Sequence, residues 1–134
     1  MTEQMIGQSK TIITWEQITD AVKKLSEMIP ENSLITGIPR NGTIIACFLS
    51  HQRPDLNIVY DLFLLFNGDK NILNEVIMID DIHDTGKTVK NYIPCRPIRS
   101  ATLFWREKEE DNRPTWFVET IKGEDWLVFP WEKE

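Results

Sequence analysis

Two neighbouring carboxylates followed by a short polar loop are the residues of this chain best suited to chemistry. Asp80 and Asp81 come directly after the apolar run 76–79, and the segment 84–88 (Asp-Thr-Gly-Lys-Thr) follows shortly afterwards. Gly86 lets the backbone turn tightly and approach a ligand closely. The residues around it offer hydroxyls, an ammonium and unpaired backbone N–H groups where a helix would begin, and such a terminus favours anions. The segment therefore predicts a phosphate site.

The acidic pair predicts a cation beside that phosphate. Adjacent carboxylates repel each other unless positive charge or hydrogen-bond donors lie between them. A ribose diol together with Mg²⁺ supplies both, because Mg²⁺ prefers carboxylate and phosphate oxygens. We therefore expect a ligand with a phosphate, a sugar diol and a nearby Mg²⁺ held by Asp81 and Asp80.

The same segment also allows two other interpretations. The Gly-Lys-Thr at 86–88 also occurs in nucleoside-triphosphate loops, but these need a glycine five residues before the final glycine. That position is Asp81 here, which argues against such a loop. The remaining alternative is a core strand that ends in an ordinary acidic turn.

A second glycine-bounded loop, Gly-Ile-Pro-Arg-Asn-Gly at 37–42, lies between a predicted strand and a predicted helix. Backbone amides together with the planar guanidinium of Arg40 are suited to a diphosphate, whose oxygens accept several hydrogen bonds. Taken alone, the same pattern also fits an ordinary turn.

The two loops belong to an alternating pattern of strands and helices. A capping box at Thr14 and Gln17 begins a helix whose apolar positions recur at helical spacing and which ends before Pro30. Strands are predicted at 11–14, 33–36, 57–61, 63–66, 76–79, 101–105 and 115–118, and further helices at 43–49 and 88–93. This alternation predicts an α/β fold with a mainly parallel central sheet, formed by one domain over residues 1–134.

Composition excludes several classes of function. The net charge of −6 argues against nucleic-acid binding, which needs a basic surface. No apolar stretch approaches the roughly 20 residues of a membrane span, and residues 1–4 lack the layout of a signal peptide. Cys47 and Cys95 have no metal-like spacing and are expected to be buried thiols in a reducing compartment. We expect a cytoplasmic protein that binds small molecules.

The central segment resembles the phosphoribosyl diphosphate (PRPP) motif of the type I phosphoribosyltransferases, in which a hydrophobic strand, two acids and Asp-Thr-Gly-x-Thr follow one another. The likeness covers nearly the whole chain and is strongest to the purine enzymes of the bacterial xanthine–guanine type and their archaeal relatives. The segments that fall in family order are 13–15, 37–42, 76–88, 102–104 and 126–132.

The resemblance implies a fold, a reaction and roles for individual residues. It implies the type I phosphoribosyltransferase fold with a small C-terminal hood, transfer of ribose phosphate from PRPP to a 6-oxopurine with Mg²⁺ as cofactor, and a homodimer or higher homo-oligomer. The PRPP ribose and 5′-phosphate would be bound by Asp80, Asp81, Asp84, Thr85, Gly86, Lys87 and Thr88. The diphosphate would be bound by Arg40, Asn41 and Gly42. The base would be bound by Arg106, Trp126 and Leu127, with Asp84 as the catalytic base or proton relay at the purine N7.

The chain departs from the family pattern at three places. Asn41 stands where the diphosphate loop has its first glycine, and we expect it to be tolerated because Asn adopts left-handed backbone more readily than most residues. Arg106 replaces the lysine that reads the 6-oxo group, and the two side chains differ in geometry. The third departure is the segment 62–75, which is shorter than the mobile family loop that closes over PRPP and excludes water.

The shortened loop favours an alternative function. A protein without a lid would bind PRPP or a nucleotide and act as a regulatory module without transfer. The sequence leaves open the preferred base and this alternative. It also leaves open whether Trp116 and Phe117 lie in an oligomer interface or in the core.

Overall fold

A parallel β-sheet with helices packed on it positions the predicted site. The computed structural model describes residues 9–59, 76–83, 99–107 and 113–132. In chain order the elements are β1 (Lys10–Ile12), α1 (Trp15–Met28), β2 (Leu34–Gly37), α2 (Asn41–Gln52), β3 (Asn57–Ile58), β4 (Val76–His83), β5 (Arg99–Arg106), β6 (Trp116–Ile121) and β7 (Trp126–Val128). The strand predicted at 63–66, the helix at 88–93 and the short loop at 62–75 lie outside the described residues.

The main sheet has the strand order β3-β2-β4-β5-β6, and each of these described pairings is parallel. The chain runs from β2 outward to β3, the outermost described strand on that side, and then returns to β4 on the other side of β2. Connections therefore leave β2 and β4 in opposite directions, which opens a crevice at their carboxyl ends. The predicted α/β fold with a parallel sheet is confirmed.

Helix α1 begins at the predicted capping box. The Thr14 hydroxyl accepts a hydrogen bond from Gln17 N over 3.1 Å, and Thr14 N donates to Gln17 Oε1 over 2.7 Å. Ile18, Val22 and Leu25 are fully or almost fully buried and recur at helical spacing. This stripe packs α1 against β5, β6 and α2, so the predicted start and end are confirmed. The predicted core face also included Trp15 and Met28, which are exposed, so that prediction was wrong at both ends of the helix.

Helix α2 is apolar on most of its surface because it lies between the sheet and α1. Ile45, Ala46 and Leu49 are buried in the core, and the helix packs on β2 and β4. It begins at Asn41, two residues before the predicted start, so two residues of the diphosphate loop belong to its first turn. Cys47 is a free thiol and is only partly buried.

Strand β4 is longer than predicted. Its first four residues are buried, but the strand continues through Asp80 and Asp81 as far as His83. The expectation that the strand ends before the acidic pair was wrong, because β4 ends at His83. β2 stops opposite Ile79, whereas β5 continues to pair with β4 beyond that point, so among the described residues the carboxylates have a strand partner on one side only.

A second, two-stranded parallel sheet pairs β1 with β7 and forms the small C-terminal hood. Leu127 and Phe129 join the hydrophobic core from this sheet, and Phe129 stacks on Trp131 with ring centroids 5.1 Å apart. The hood is thereby attached to the main sheet by apolar packing.

Trp116 and Phe117 are both partly buried. Trp116 packs against the core, and the Phe117 ring lies 5.1 Å from that of Trp105. The two residues thus make contacts within the chain.

Among the described residues, neither helix has the length and hydrophobicity needed to traverse a bilayer.

Candidate active site

The loop 37–42 and the acidic end of β4 meet at the crevice between β2 and β4. Ile38 N donates to Ile79 O over 2.8 Å, which continues the pairing of the two strands into the loop. A side chain at Gly42 would collide with that same carbonyl oxygen, so α2 approaches β4 backbone to backbone. The two sequence motifs therefore form one site, as neighbouring strand ends in a parallel sheet require.

The loop presents backbone and side-chain groups suited to an anion. A Cβ on Gly37 would lie 2.5 Å from Gly42 O and 2.6 Å from Thr43 N, so glycine is required for the loop to fold back on the helix start. The peptide bond between Pro39 and Arg40 is cis. No side chain caps the N-terminus of α2, and the exposed Arg40 guanidinium makes no hydrogen bond or ion pair to a described residue. These groups are available to a diphosphate.

Asp81 is buried and held by two donors. It is 5% exposed; its Oδ1 accepts from Ile82 N over 2.8 Å, and its Oδ2 accepts from the Asn41 side-chain amide over 2.9 Å. Both carboxylate oxygens are therefore fixed in position. The bond from Asn41 joins the predicted diphosphate loop to the predicted metal-binding pair.

Asp80 is only partly exposed, and its Oδ1 accepts a hydrogen bond from Asp81 N over 2.8 Å. Burial, a side-chain hydrogen bond with Asp81 and the Asp81 charge together raise the pKa of Asp80 from 3.8 to about 8. This is the behaviour of two adjacent carboxylates in a confined space, where ionisation of one disfavours ionisation of the other.

The acidic pair fits a Mg²⁺ site that is completed by substrate. Its oxygens are hard ligands, and a cation between the carboxylates would relieve the repulsion that raises the pKa of Asp80. Among the described residues, no group of three or more His, Cys, Asp or Glu side chains is placed to hold a metal ion. Mg²⁺ usually binds through one or two carboxylates plus waters and substrate phosphates, and the pair matches that pattern.

Asn41 occupies a different backbone conformation from the one expected. It is the first residue of α2, and among described non-glycine residues only Asn32 has a positive φ. The explanation from left-handed backbone was therefore wrong. Asn41 is accommodated in helical backbone, where its side chain reaches Asp81.

Comparison with solved structures shows the same fold in purine phosphoribosyltransferases. A purine phosphoribosyltransferase from Pyrococcus horikoshii is 28% identical, with a TM-score of 0.68 over 93% of this chain and 95% of that one. The chain has the type I phosphoribosyltransferase fold. A xanthine-guanine-hypoxanthine phosphoribosyltransferase from Helicobacter pylori is similar over 92% of this chain and 93% of that one, at 16% identity and a TM-score of 0.60.

A third structure with this fold is a hypothetical protein from Neisseria gonorrhoeae with bound ppGpp. It is 17% identical, with a TM-score of 0.69 over 94% of this chain and 90% of that one. No protein-family model and no curated protein matches the sequence.

Within this phosphoribosyltransferase fold, Arg106 lies at the end of β5 and supports the hood. Its side chain is buried, and Nη1 and Nη2 donate to the carbonyl oxygens of Gly123 and Asp125, each over 2.7 Å. Gly123 has a φ of +76°, which favours glycine. The arginine thereby fixes the turn that leads directly into β7.

Of the predicted base-binding residues in β7, Trp126 is 52% exposed. Its ring is therefore accessible to a planar ligand. Leu127 is buried in the core by its side chain, which leaves its backbone as the part able to contact a base. Asp84, Thr85, Gly86, Lys87 and Thr88, the predicted 5′-phosphate loop and catalytic carboxylate, lie outside the described residues.

Sequence reasoning missed two interactions of this site. Sequence reasoning explains Asn41 only as a tolerated replacement for glycine. Its side-chain amide, which glycine lacks, was the available signal of a new hydrogen bond. The contacts of Arg106 with two backbone carbonyls had no signal in the sequence, because they join residues 17 and 19 positions apart through a turn.

Proposed function

We propose that the protein transfers the 5-phosphoribosyl group of PRPP to a 6-oxopurine base (guanine, xanthine or hypoxanthine), forming the nucleoside 5′-monophosphate and diphosphate. The observation that carries this proposal is the junction at the crevice between the carboxyl ends of β2 and β4. There, Ile38, Gly42 and Asn41 bring the predicted diphosphate loop against the end of β4 and its acidic pair. The structural likeness to the Pyrococcus horikoshii purine phosphoribosyltransferase supports the same reaction.

In this reaction the bond between the anomeric carbon and the diphosphate oxygen breaks, and a purine nitrogen forms a new bond to that carbon. Negative charge grows on the leaving diphosphate. The N–H groups at the start of α2 and the exposed guanidinium of Arg40 would stabilise it. Donors fixed before the reaction are usually the largest electrostatic contribution to catalysis.

The acidic pair would act on the ribose. Asp80 and Asp81 would accept hydrogen bonds from its hydroxyl groups, and the site would hold Mg²⁺ through the same carboxylates. Bound Mg²⁺ would neutralise charge on the diphosphate. Because Asp81 is already fixed by two donors, the sugar would meet a preorganised acceptor.

The base would lie beneath the hood. The exposed indole of Trp126 provides a stacking surface, which is worth about 1–3 kcal/mol per base and does not select among purines. Selectivity must therefore come from polar contacts to the base edge. Asp84 would accept or relay the proton lost from the purine, as a general base.

The direct test is to incubate the purified protein with PRPP, Mg²⁺ and each base separately, and to separate the products by chromatography. We expect a monophosphate from at least one of guanine, xanthine and hypoxanthine, and none from adenine. A folded protein that yields no monophosphate from any base would rule the transfer reaction out.

A second candidate function is binding of PRPP or a nucleotide in regulation, without transfer. The short segment 62–75 favours it, as does the shared fold with a ppGpp-bound protein. This candidate predicts that PRPP, GMP or ppGpp raises the free energy of unfolding by RT ln(1 + [L]/Kd), and with it the melting temperature, in the absence of turnover. Stabilisation together with product formation would instead support the enzyme.

A further inference from the structure

A single side-chain hydrogen bond joins the two halves of the site. Asn41 Nδ2 donates to Asp81 Oδ2 over 2.9 Å, between residues 40 positions apart in the chain. Asp81 is buried and Asn41 is partly buried, so water competes little for this bond. Hydrogen bonds to an ionised acceptor in such surroundings are among the strong ones.

The bond fixes the carboxylate completely. Ile82 N already donates to Oδ1 over 2.8 Å, so Asn41 supplies the second donor and prevents rotation about the last side-chain torsion. Each carboxylate oxygen keeps further acceptor capacity after one hydrogen bond. Asp81 can therefore keep both donors while it binds a cation.

Asn41 also belongs to the anion-binding side. It is the first residue of α2, directly after Arg40, and its backbone moves with the N–H groups that the proposed function assigns to diphosphate. Neighbouring Gly42 packs on Ile79 O, so a displacement of the helix start is transmitted to the end of β4. A glycine at position 41 would keep the backbone but lose the donor.

We propose that Asn41 is a positioning residue that couples cation binding at Asp81 to diphosphate binding at the start of α2. This inference rests on the proposed function, because it assumes that both ligands occupy these two halves. Because the Asn41–Asp81 bond joins the two halves, a displacement of one half on binding its ligand is transmitted to the other half, and such coupling is reciprocal. The role is that of an outer-shell partner, whose loss typically weakens metal binding about 10–100-fold.

The first measurement uses Mn²⁺ as a probe for Mg²⁺, with free Mn²⁺ followed by electron paramagnetic resonance. The variant is Asn41→Ala, which removes the donor. Asn57→Ala is the matched control, because Asn57 is an exposed residue of β3 away from the crevice. We expect Asn41→Ala to weaken Mn²⁺ binding about 10-fold, and the control to match the wild type.

The second measurement is calorimetry of PRPP binding at fixed Mg²⁺ for the wild type, Asn41→Ala, Asp81→Asn and the double variant. Coupling through the bond predicts that Asn41→Ala costs affinity in the wild type and much less in the Asp81→Asn background. Urea unfolding of each variant shows that it is folded, and a purely structural role would change stability without this non-additivity.

The outcomes separate the two claims. If the wild type binds Mn²⁺ and PRPP, and Asn41→Ala binds them equally well or its effect is additive with Asp81→Asn, the coupling is overturned while the proposed function stands. If the folded wild type binds neither probe, both the coupling and the proposed function are overturned.

Discussion

Gly42 lies so close to the backbone of Ile79 that no side chain fits at position 42. A Cβ on Gly42 would collide with the carbonyl oxygen of Ile79, which also accepts a hydrogen bond from Ile38 N. The start of α2 and the end of β4 are therefore in backbone contact. This contact brings the start of α2 to within one hydrogen bond of the acidic pair.

Replacement of Gly42 with alanine is expected to destabilise the protein. In an unobstructed helix, Gly→Ala would stabilise by up to about 1 kcal/mol, but the collision with Ile79 O forces a backbone shift that typically costs about 1–3 kcal/mol. Urea unfolding measures the sign directly. Ser50→Ala, near the opposite end of α2, is the control and should change stability little; stabilisation by Gly42→Ala would contradict the close contact.

The raised pKa of Asp80 predicts that the ligand-free protein loses stability as the pH rises. The folded state holds the Asp80 proton up to about pH 8, whereas the unfolded chain releases it near 3.8. The stabilising contribution is therefore fully present below the unfolded pKa and is lost as the pH rises to about 8, at a slope of at most about 1.4 kcal/mol per pH unit. Unfolding free energies at pH 5, 7 and 9 measure this trend.

Asp80→Asn is the control for that trend, because it keeps the shape and removes the ionisation. The variant should lack the decline, so its stability relative to the wild type should increase with pH over this interval. A parallel pH dependence of the two proteins would show that Asp80 does not cause the decline.

Arg106→Met is expected to loosen the hood. The substitution removes the two donors to Gly123 O and Asp125 O in a buried position, and hydrogen bonds from a charged group contribute about 1.5–3 kcal/mol each. We expect a loss of about 2 kcal/mol or more in unfolding free energy. We also expect the KM for the purine base to increase more than the KM for PRPP, because the base side of the site is displaced. Arg113→Met is the control, since Arg113 is exposed over the Trp105 and Phe117 rings and such contacts contribute about 0.5–1 kcal/mol.

Asp84→Asn is expected to separate chemistry from binding. The amide keeps the size of the carboxylate but cannot accept the purine proton, so kcat should fall by about 100-fold or more. The Kd for PRPP, measured by calorimetry, should change little. Equal losses in turnover and PRPP affinity would instead indicate that Asp84 serves binding alone.

The elements with local signals were predictable. The capping box of α1, the middle of its apolar stripe and its end before Pro30 depend on residues within one or two turns, and the structure confirms them. The boundary of β4 was not predictable in the same way. Asp is uncommon within strands, so Asp80 and Asp81 predict a strand end. Only the greater length of β5 relative to β2 keeps them in the sheet.

The sequence by itself determined the α/β class, the two loops suited to anions and the acidic pair, because residue type and spacing along the chain carry that information. Only the tertiary structure decided that the loop 37–42 meets the acidic end of β4, that Asn41 reaches Asp81 and that Arg106 holds the turn before β7. These contacts join residues that are distant in the chain. They depend on the strand order and on atomic distances between elements, which no local pattern specifies.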